Sequence, residues 1–281
     1  MNNSLHVEVA GQGPPLVLLH GWALHSGLWG RLPTSLARRH RVHAVDLPGH
    51  GRSAPLTPFT ADAVVEALER RFAAEREPLT VVGWSLGGQL AMAWAFARPD
   101  RIARLVLVAT TPRFVEGEDW NCAMARATLE RFAAELEAGW RATVLRFLTL
   151  QMRGSEHGPS ALAAMRRELF ARGDPARSAL REALALLATT DLRPRVGDLA
   201  PPALVVAGTR DTLVPVSACR WLAGAVPNGR LAAIEAAAHG STASRRSRRR
   251  WPSRVAMRRR ARRPTRCAPR VTARAARAIR R

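Results

Sequence analysis

The stretch Gly83-Trp84-Ser85-Leu86-Gly87 constrains this chain more than any other. It reads G-x-S-x-G, follows the apolar run Leu79-Thr80-Val81-Val82 and precedes the helix-like run Gln89-Leu90-Ala91-Met92-Ala93-Trp94-Ala95. That order predicts a strand, a sharp turn and a helix, with a serine at the apex. Glycines on both sides suit so tight a turn, because a Cβ atom there would clash. Such a turn holds the serine Oγ clear of the sheet and sets the next backbone N–H beside it, at a helix N-terminus. The bare pattern is common, so its surroundings have to carry the case.

Those surroundings alternate. Leu16-Val17-Leu18-Leu19 leads into His20-Gly21-Trp22, and Val42-His43-Ala44-Val45 into Asp46-Leu47-Pro48-Gly49-His50-Gly51. Leu105-Val106-Leu107-Val108 leads into Ala109-Thr110-Thr111-Pro112. The same signal returns at Ala203-Leu204-Val205-Val206-Ala207, before Gly208-Thr209-Arg210-Asp211, and at Leu231-Ala232-Ala233-Ile234, before Ala238-His239. Short continuous apolar strands suit a sheet covered on both faces. With helical patterns between them, they predict an α/β fold: a mostly parallel sheet with crossover helices on both faces. From about 112 to 195 the chain is instead rich in Ala, Leu, Arg and Glu at helical spacing. Gly154, Gly158-Pro159 and Gly173-Asp174-Pro175 cut this region into several helices. The expected division is a core of residues 1–111 and 196–239, a helical lid over 112–195, and a tail over 240–281.

The tail needs the composition to be understood. The chain of 281 residues has a formal net charge of +22, with 44 basic and 22 acidic residues. Residues 240–281 hold 17 of the 44 basic residues and no acidic one, leaving 27 against 22, or +5, for the rest. The body is therefore an ordinary, mildly basic domain, and nucleic acid is expected to bind only non-specifically, through the tail. All the basic residues counted are Arg, and the tail has little apolar periodicity. Its abrupt onset after His239 is expected of a disordered segment or of a shifted reading frame. Three cysteines (Cys122, Cys219, Cys267) lack C-x-x-C spacing, so neither a zinc site nor a disulfide framework is expected. The first residues have no signal-peptide pattern, and no apolar run approaches the about 20 residues that span a bilayer. A cytoplasmic monomer without membrane contact is the expectation.

A serine hydroxyl is a poor nucleophile alone; it needs a base, and the base needs an acid to fix its tautomer. Ser85, Asp211 and His239 each follow a predicted strand, so a parallel sheet would bring all three to one edge. Asp198 is a nearby competitor for the acid. Of the eight histidines, His239 alone follows the final strand; His20 is expected to shape its loop and His50 its turn. Acyl transfer also needs donors aimed at the developing oxyanion. Leu86 N–H, next after the serine, is one candidate, and Trp22 N–H, from the loop after an early strand, is the second. No metal cluster or phosphate-cradling loop competes, so neither a metal nor a cofactor is expected.

Together, His20-Gly21-Trp22, Asp46-Leu47-Pro48-Gly49-His50-Gly51-Arg52-Ser53 and Gly83-Trp84-Ser85-Leu86-Gly87-Gly88 resemble the α/β-hydrolase superfamily. The closer resemblance is to the pimeloyl-acyl-carrier protein methyl ester esterases of biotin synthesis. It extends to Met1-Asn2-Asn3, Gly11-Gln12-Gly13, Arg146-Phe147-Leu148-Thr149-Leu150-Gln151 and Thr190-Asp191-Leu192-Arg193. It implies a serine carboxylesterase that hydrolyses the methyl ester of a pimeloyl chain borne on acyl-carrier protein. It implies Ser85, Asp211 and His239 as the triad. Substrate contacts are implied at Trp22, Ser85, Leu86, Phe147, Leu148, Thr149, Leu150, Gln151 and His239. It further implies Arg141 and Arg146 as docking groups for the acidic carrier protein. Two other basic docking positions of the family are lost near Pro159 and Ala163, where Arg153, Arg166 and Arg167 are the available substitutes; a solvated helix face is the alternative. The rival readings are a general short-chain carboxylesterase or acyltransferase of the same fold and, from another class, a polyanion-binding protein acting through the tail.

Overall fold

A computed structural model describes residues 5–153 and 158–240. The tail expectation concerns residues almost wholly outside this range. Seven strands form one sheet: β1 (Val7–Ala10), β2 (Pro15–Leu19), β3 (Arg41–Val45), β4 (Leu79–Trp84), β5 (Ile102–Val108), β6 (Ala203–Gly208) and β7 (Gly229–Ile234). Their order across the sheet is β1-β3-β2-β4-β5-β6-β7. Only β1, a short edge strand that pairs with β3, runs antiparallel. β2 is buried at all five positions and β4 at five of six, as continuous apolar runs require when both faces are covered.

Helices flank the strands: α1 (Leu32–Leu36), α2 (Ala61–Arg71), α3 (Leu86–Ala97) and α7 (Val216–Ala225). Thr60 caps α2 by accepting the Ala63 N–H at 3.2 Å, and Asp62 near its start and Arg70 and Arg71 near its end complement the helix dipole. α3 has nine of twelve residues buried and is apolar nearly all round, because it lies deep in the molecule against β4, β5 and α2.

Between β5 and β6 the chain forms three longer helices, α4 (Arg126–Gln151), α5 (Gly158–Leu169) and α6 (Arg177–Thr189). α4 is broken at Gly139, where φ −167° and ψ 77° leave the helical region. Thr143 Oγ1 donates to the Gly139 carbonyl at 3.1 Å and so satisfies an acceptor near the break. This helical layer is tied to the core through polar contacts. Arg172 donates to Ser26 Oγ at 2.7 Å and pairs with Glu8 at 2.6 Å, and His25 Nε2 donates to the Glu168 carbonyl at 3.0 Å. Of the three cysteines, Cys219 is a buried free thiol and Cys122 is buried, while Cys267 lies outside the described residues.

The chain passes from β2 outward to β3, then crosses back to β4 on the other side of β2. Such a reversal opens a crevice at the carboxyl ends of the two central strands, where ligands of open α/β sheets bind.

Candidate active site

Ser85 stands at that crevice, between the end of β4 and the start of α3. Its backbone has φ 55° and ψ −116°, a conformation that L-residues adopt only under constraint. The constraint is visible. Ser85 N–H donates to the Val108 carbonyl at 2.9 Å, and its carbonyl receives the Gly88 N–H at 2.9 Å. A Cβ on Gly87 would lie 2.2 Å from the Leu19 carbonyl oxygen and 2.6 Å from that of His20, so only glycine lets the first turn of α3 press against the end of β2.

Leu86 is the first residue of α3, where a backbone N–H has no acceptor one turn back and the helix dipole is positive. The loop after β2 runs past the same point: a Cβ on Gly21 would sit 3.4 Å from Ser85 Cβ. Trp22 is the next residue after Gly21, as Leu86 is the next after Ser85. His20 shapes this loop. Its Nδ1–H donates to the Gly21 carbonyl at 2.8 Å, and its Nε2 accepts the Leu47 N–H at 2.9 Å. Both nitrogens are engaged, and burial pushes its pKa down to about 3. His50 donates from Nδ1 to the Pro48 carbonyl at 2.9 Å, and burial lowers it to about 4. His20 therefore has no free nitrogen to act as a base, whereas His50 keeps a buried Nε2 without a partner among the described residues.

Asp211 lies three residues beyond β6 and His239 five beyond β7. His239 Nδ1–H donates to Asp211 Oδ2 at 2.8 Å, with both side chains all but fully buried. The other oxygen, Oδ1, accepts the Leu213 N–H at 2.9 Å and the Val214 N–H at 2.8 Å. The carboxylate is therefore locked on three donors. His239 Nε2 is buried and has no partner among the described residues. The His239 ring lies 6.2 Å from that of Trp84, the residue before Ser85. Asp198, the competing acid, is exposed at the end of a 3-10 turn before β6.

Of the stretch 147–151, Phe147, Leu148 and Gln151 are buried, whereas Thr149 is exposed and Leu150 half-buried. Five consecutive helical residues turn through more than a full circle, so they cannot share one face. The Thr149 hydroxyl turns outward, donating to the Leu145 carbonyl at 2.8 Å and accepting from Arg166 at 3.0 Å. Gln151 lies beside the imidazole loop, since a Cβ on Gly240 would come 3.5 Å from the Gln151 carbonyl oxygen. Phe147 meets the Trp22 indole edge-to-face at 4.9 Å and Phe132 at 5.6 Å. The Trp22 Nε1–H donates to the Leu180 carbonyl of α6 at 2.8 Å. Phe132 and the Leu180 carbonyl escaped the sequence reading: the first has no motif, and the second is a main-chain group.

Arg141 is paired with Asp174 and stacked on Trp140 and Phe170, and Arg146 is paired with Glu135 over the Phe132 ring. Both guanidiniums already have anionic partners. Among the described residues, Arg153 and Arg167 make no ion pair and are exposed. A cavity of about 400 Å³ opens between α4 and α6, lined by Val115, Leu129, Leu136, Leu184 and Ala188. Neither the serine, the carboxylate nor the imidazole lines it, so it belongs to the helical layer and not to the crevice. No group of three or more His, Cys, Asp or Glu among the described residues could hold a metal ion.

Residues 14–242 match the family model of the alpha/beta hydrolase fold. A pimeloyl-acyl-carrier protein methyl ester esterase of Chromobacterium violaceum is 46% identical over 236 residues, 84% of this chain and 91% of that protein. One from Nitrosomonas europaea is 40% identical over 228 residues, 81% of this chain and 89% of that protein. Among solved structures, an esterase from Exiguobacterium antarcticum superposes with a TM-score of 0.77 at 19% identity, covering 84% of this chain and 88% of that one, which speaks for the fold alone. The chain therefore belongs to the α/β-hydrolase family and, within it, to the family of the pimeloyl-acyl-carrier protein methyl ester esterases.

Proposed function

We propose that this chain is a serine carboxylesterase that hydrolyses the methyl ester of a pimeloyl chain carried on acyl-carrier protein, in the synthesis of biotin. The observation that carries the reading is the buried imidazole of His239, held through Nδ1 by Asp211 at 2.8 Å, with Nε2 unpartnered among the described residues and the ring 6.2 Å from that of Trp84, the neighbour of Ser85. The names of relatives at 46% and 40% identity supply the substrate.

In this mechanism Ser85 Oγ attacks the ester carbonyl carbon as His239 Nε2 takes its proton. The carbonyl oxygen becomes an oxyanion between the Leu86 and Trp22 N–H groups. When the tetrahedral intermediate collapses, the C–O bond to methoxide breaks and His239 returns the proton, releasing methanol and leaving an acyl-serine. Water then attacks the acyl carbon, again giving its proton to Nε2, and the free carboxylate departs as Ser85 is reprotonated. Asp211 keeps the Nδ1–H tautomer and balances the imidazolium; it takes no proton.

The helices α4, α5 and α6 act as the lid. The acyl chain passes the Trp22–Phe147 pair, with Leu148 and Gln151 on the inner face, while Thr149 and Leu150 belong to the rim. The carrier protein is acidic and docks on lid arginines. Arg141 and Arg146 serve by exchanging their internal carboxylates for those of the carrier, and Arg153 and Arg167 are exposed cations without such partners. A carrier-borne substrate puts the reaction where fatty acids are built, so the enzyme works in the cytoplasm, and as a monomer.

A fluorophosphonate probe and two esters test the reading. The probe is expected to label the intact chain and not Ser85→Ala. The chain is expected to favour the carrier-borne methyl ester over p-nitrophenyl acetate by at least about tenfold in kcat/KM. Equal turnover of both would favour a general short-chain esterase, and turnover surviving in Ser85→Ala would overturn the mechanism.

A further inference from the structure

Ser85 and Leu86 share one peptide unit. That unit is planar and trans, so its C=O and N–H point in opposite directions, and holding one fixes the aim of the other. Three donors hold the carbonyl end: Thr110 Oγ1–H at 2.7 Å, Gly88 N–H at 2.9 Å and Gln89 N–H at 3.3 Å. The last two belong to the first turn of α3 itself. Thr110 is the shortest contact and comes from another element, the turn after β5.

Thr110 is itself fixed. It is 1% exposed, and a Cβ on Gly88 would lie 2.5 to 2.7 Å from its Cγ2, Cβ and Oγ1, so its side chain lies flush on the first turn of α3. Its carbonyl receives the Cys219 Sγ–H of α7 at 3.4 Å. The next residue takes part too: Gln89 Nε2–H donates to the Thr111 carbonyl at 3.1 Å. The turn after β5 thus grips the serine turn at two points. Hydrogen-bond donors at a peptide carbonyl also polarise the unit and make its N–H a stronger donor.

We propose that Thr110 is a positioning residue: its hydroxyl pins the Ser85 carbonyl and thereby aims and polarises the Leu86 N–H at the oxyanion. This rests on Ser85 as nucleophile and Leu86 N–H as oxyanion donor. Thr110 does not touch the substrate; it acts through the peptide between them.

The test uses Thr110→Val, which keeps the shape and removes the hydroxyl, and Thr110→Ser, which keeps the hydroxyl. The readouts are kcat and KM for an ester, and the inhibition constant of a trifluoromethyl ketone, which forms a charged tetrahedral adduct on serine. Deleting an oxyanion donor outright costs about 10²–10³ in kcat, so misaiming one is expected to cost about 5- to 20-fold. Thr110→Val is expected to lower kcat by that factor with KM unchanged and to weaken the ketone by the same factor, while Thr110→Ser stays within about twofold of the parent. If Thr110→Val does not fold, Thr110→Ala compared with Thr110→Ser isolates the same hydroxyl. The proposal is overturned if removing the hydroxyl leaves kcat and ketone affinity within twofold, if Thr110→Ser loses as much as Thr110→Val, or if KM rises while kcat holds. Ser85→Ala run alongside separates the two claims: residual turnover there would mean that the esterase mechanism itself has failed.

Discussion

The carboxylate of Asp211 determines what an amide in its place would do. Its Oδ1 accepts two backbone N–H groups, from Leu213 and Val214, at 2.9 and 2.8 Å. In Asp211→Asn the amide oxygen keeps those donors, and the NH₂ group must then face His239 Nδ1. The imidazole can meet a donor there only by moving its own proton to Nε2, which ceases to be a base. The fold should survive while kcat falls about 10³- to 10⁴-fold. Fluorophosphonate labelling rates and thermal melts measured together check this; a loss under tenfold would mean that the pair does not set the tautomer. The buried rings of His20 and His50 make a second prediction, about stability. Burial depresses their pKa values to about 3 and about 4, against about 6.5 in an unfolded chain. Below pH 6.5 the unfolded chain takes up protons that the folded chain refuses. The stabilisation is thus complete above pH 6.5 and drains away as pH falls toward the folded values. Each ring is expected to contribute up to about 2 kcal/mol of loss between pH 6.5 and pH 5. Urea midpoints across that range should fall with pH, and His50→Gln should flatten the slope; an unchanged slope would remove His50 from the account.

At the scale of elements, the contact between the first turn of α3 and the end of β2 is what presents the serine. Gly87→Ala would drive a Cβ to 2.2 Å from the Leu19 carbonyl oxygen, a backbone atom that no rotamer change can clear. The expected cost exceeds about 2 kcal/mol, with loss of labelling at Ser85. Gly139→Ala is the contrast, since nothing lies within 4 Å of the added Cβ and the extended φ of −167° is open to any residue. Comparing the two melting temperatures tests the claim, which fails if both substitutions are equally mild. The same contrast explains what could be read from the sequence. β2, β4, β5 and β6 were legible because burial on both faces writes a run of branched apolar residues. Ser85 and Asp211 stand out as candidates because each follows such a run, and His239 because it follows the last strand, β7, although that strand is only partly buried. β1 is short and half-exposed, so its pattern is too brief to stand out. The break at Gly139 was missed because an isolated glycine in a helical pattern is usually tolerated, and only the tertiary path shows the bend. The ion pairs of Arg141 and Arg146 were equally silent: Asp174 is 33 residues from Arg141 in the chain, and its proximity follows from how α4 meets the turn before α6.

The molecule as a whole divides by charge at a point its catalytic geometry also marks. His239 and Gly240 are seated against the end of α4; a Cβ on Gly240 would come 2.5 Å from Met152 Sδ. Immediately beyond them begins the stretch that holds 17 of the 44 basic residues and no acidic one, and without it the net charge drops from +22 to +5. Counterion release makes phosphate binding steep in salt in proportion to the number of charges neutralised. The body, at +5, sets 22 carboxylates against its 27 arginines, whereas the distal stretch carries its cations with no carboxylate to offset them. A chain ending at Gly240 keeps every residue assigned here to the site. It should therefore lose retention on a heparin column at salt concentrations that hold the full chain, and lose most of the salt dependence of binding to a short duplex DNA. Labelling of Ser85 should proceed at an unchanged rate if residues 241–281 add nothing to the crevice. Retained heparin binding would place the cationic surface on the body, most plainly on the arginines of α4 and α5. A lost label would show instead that the distal residues are needed to hold His239 beside the serine.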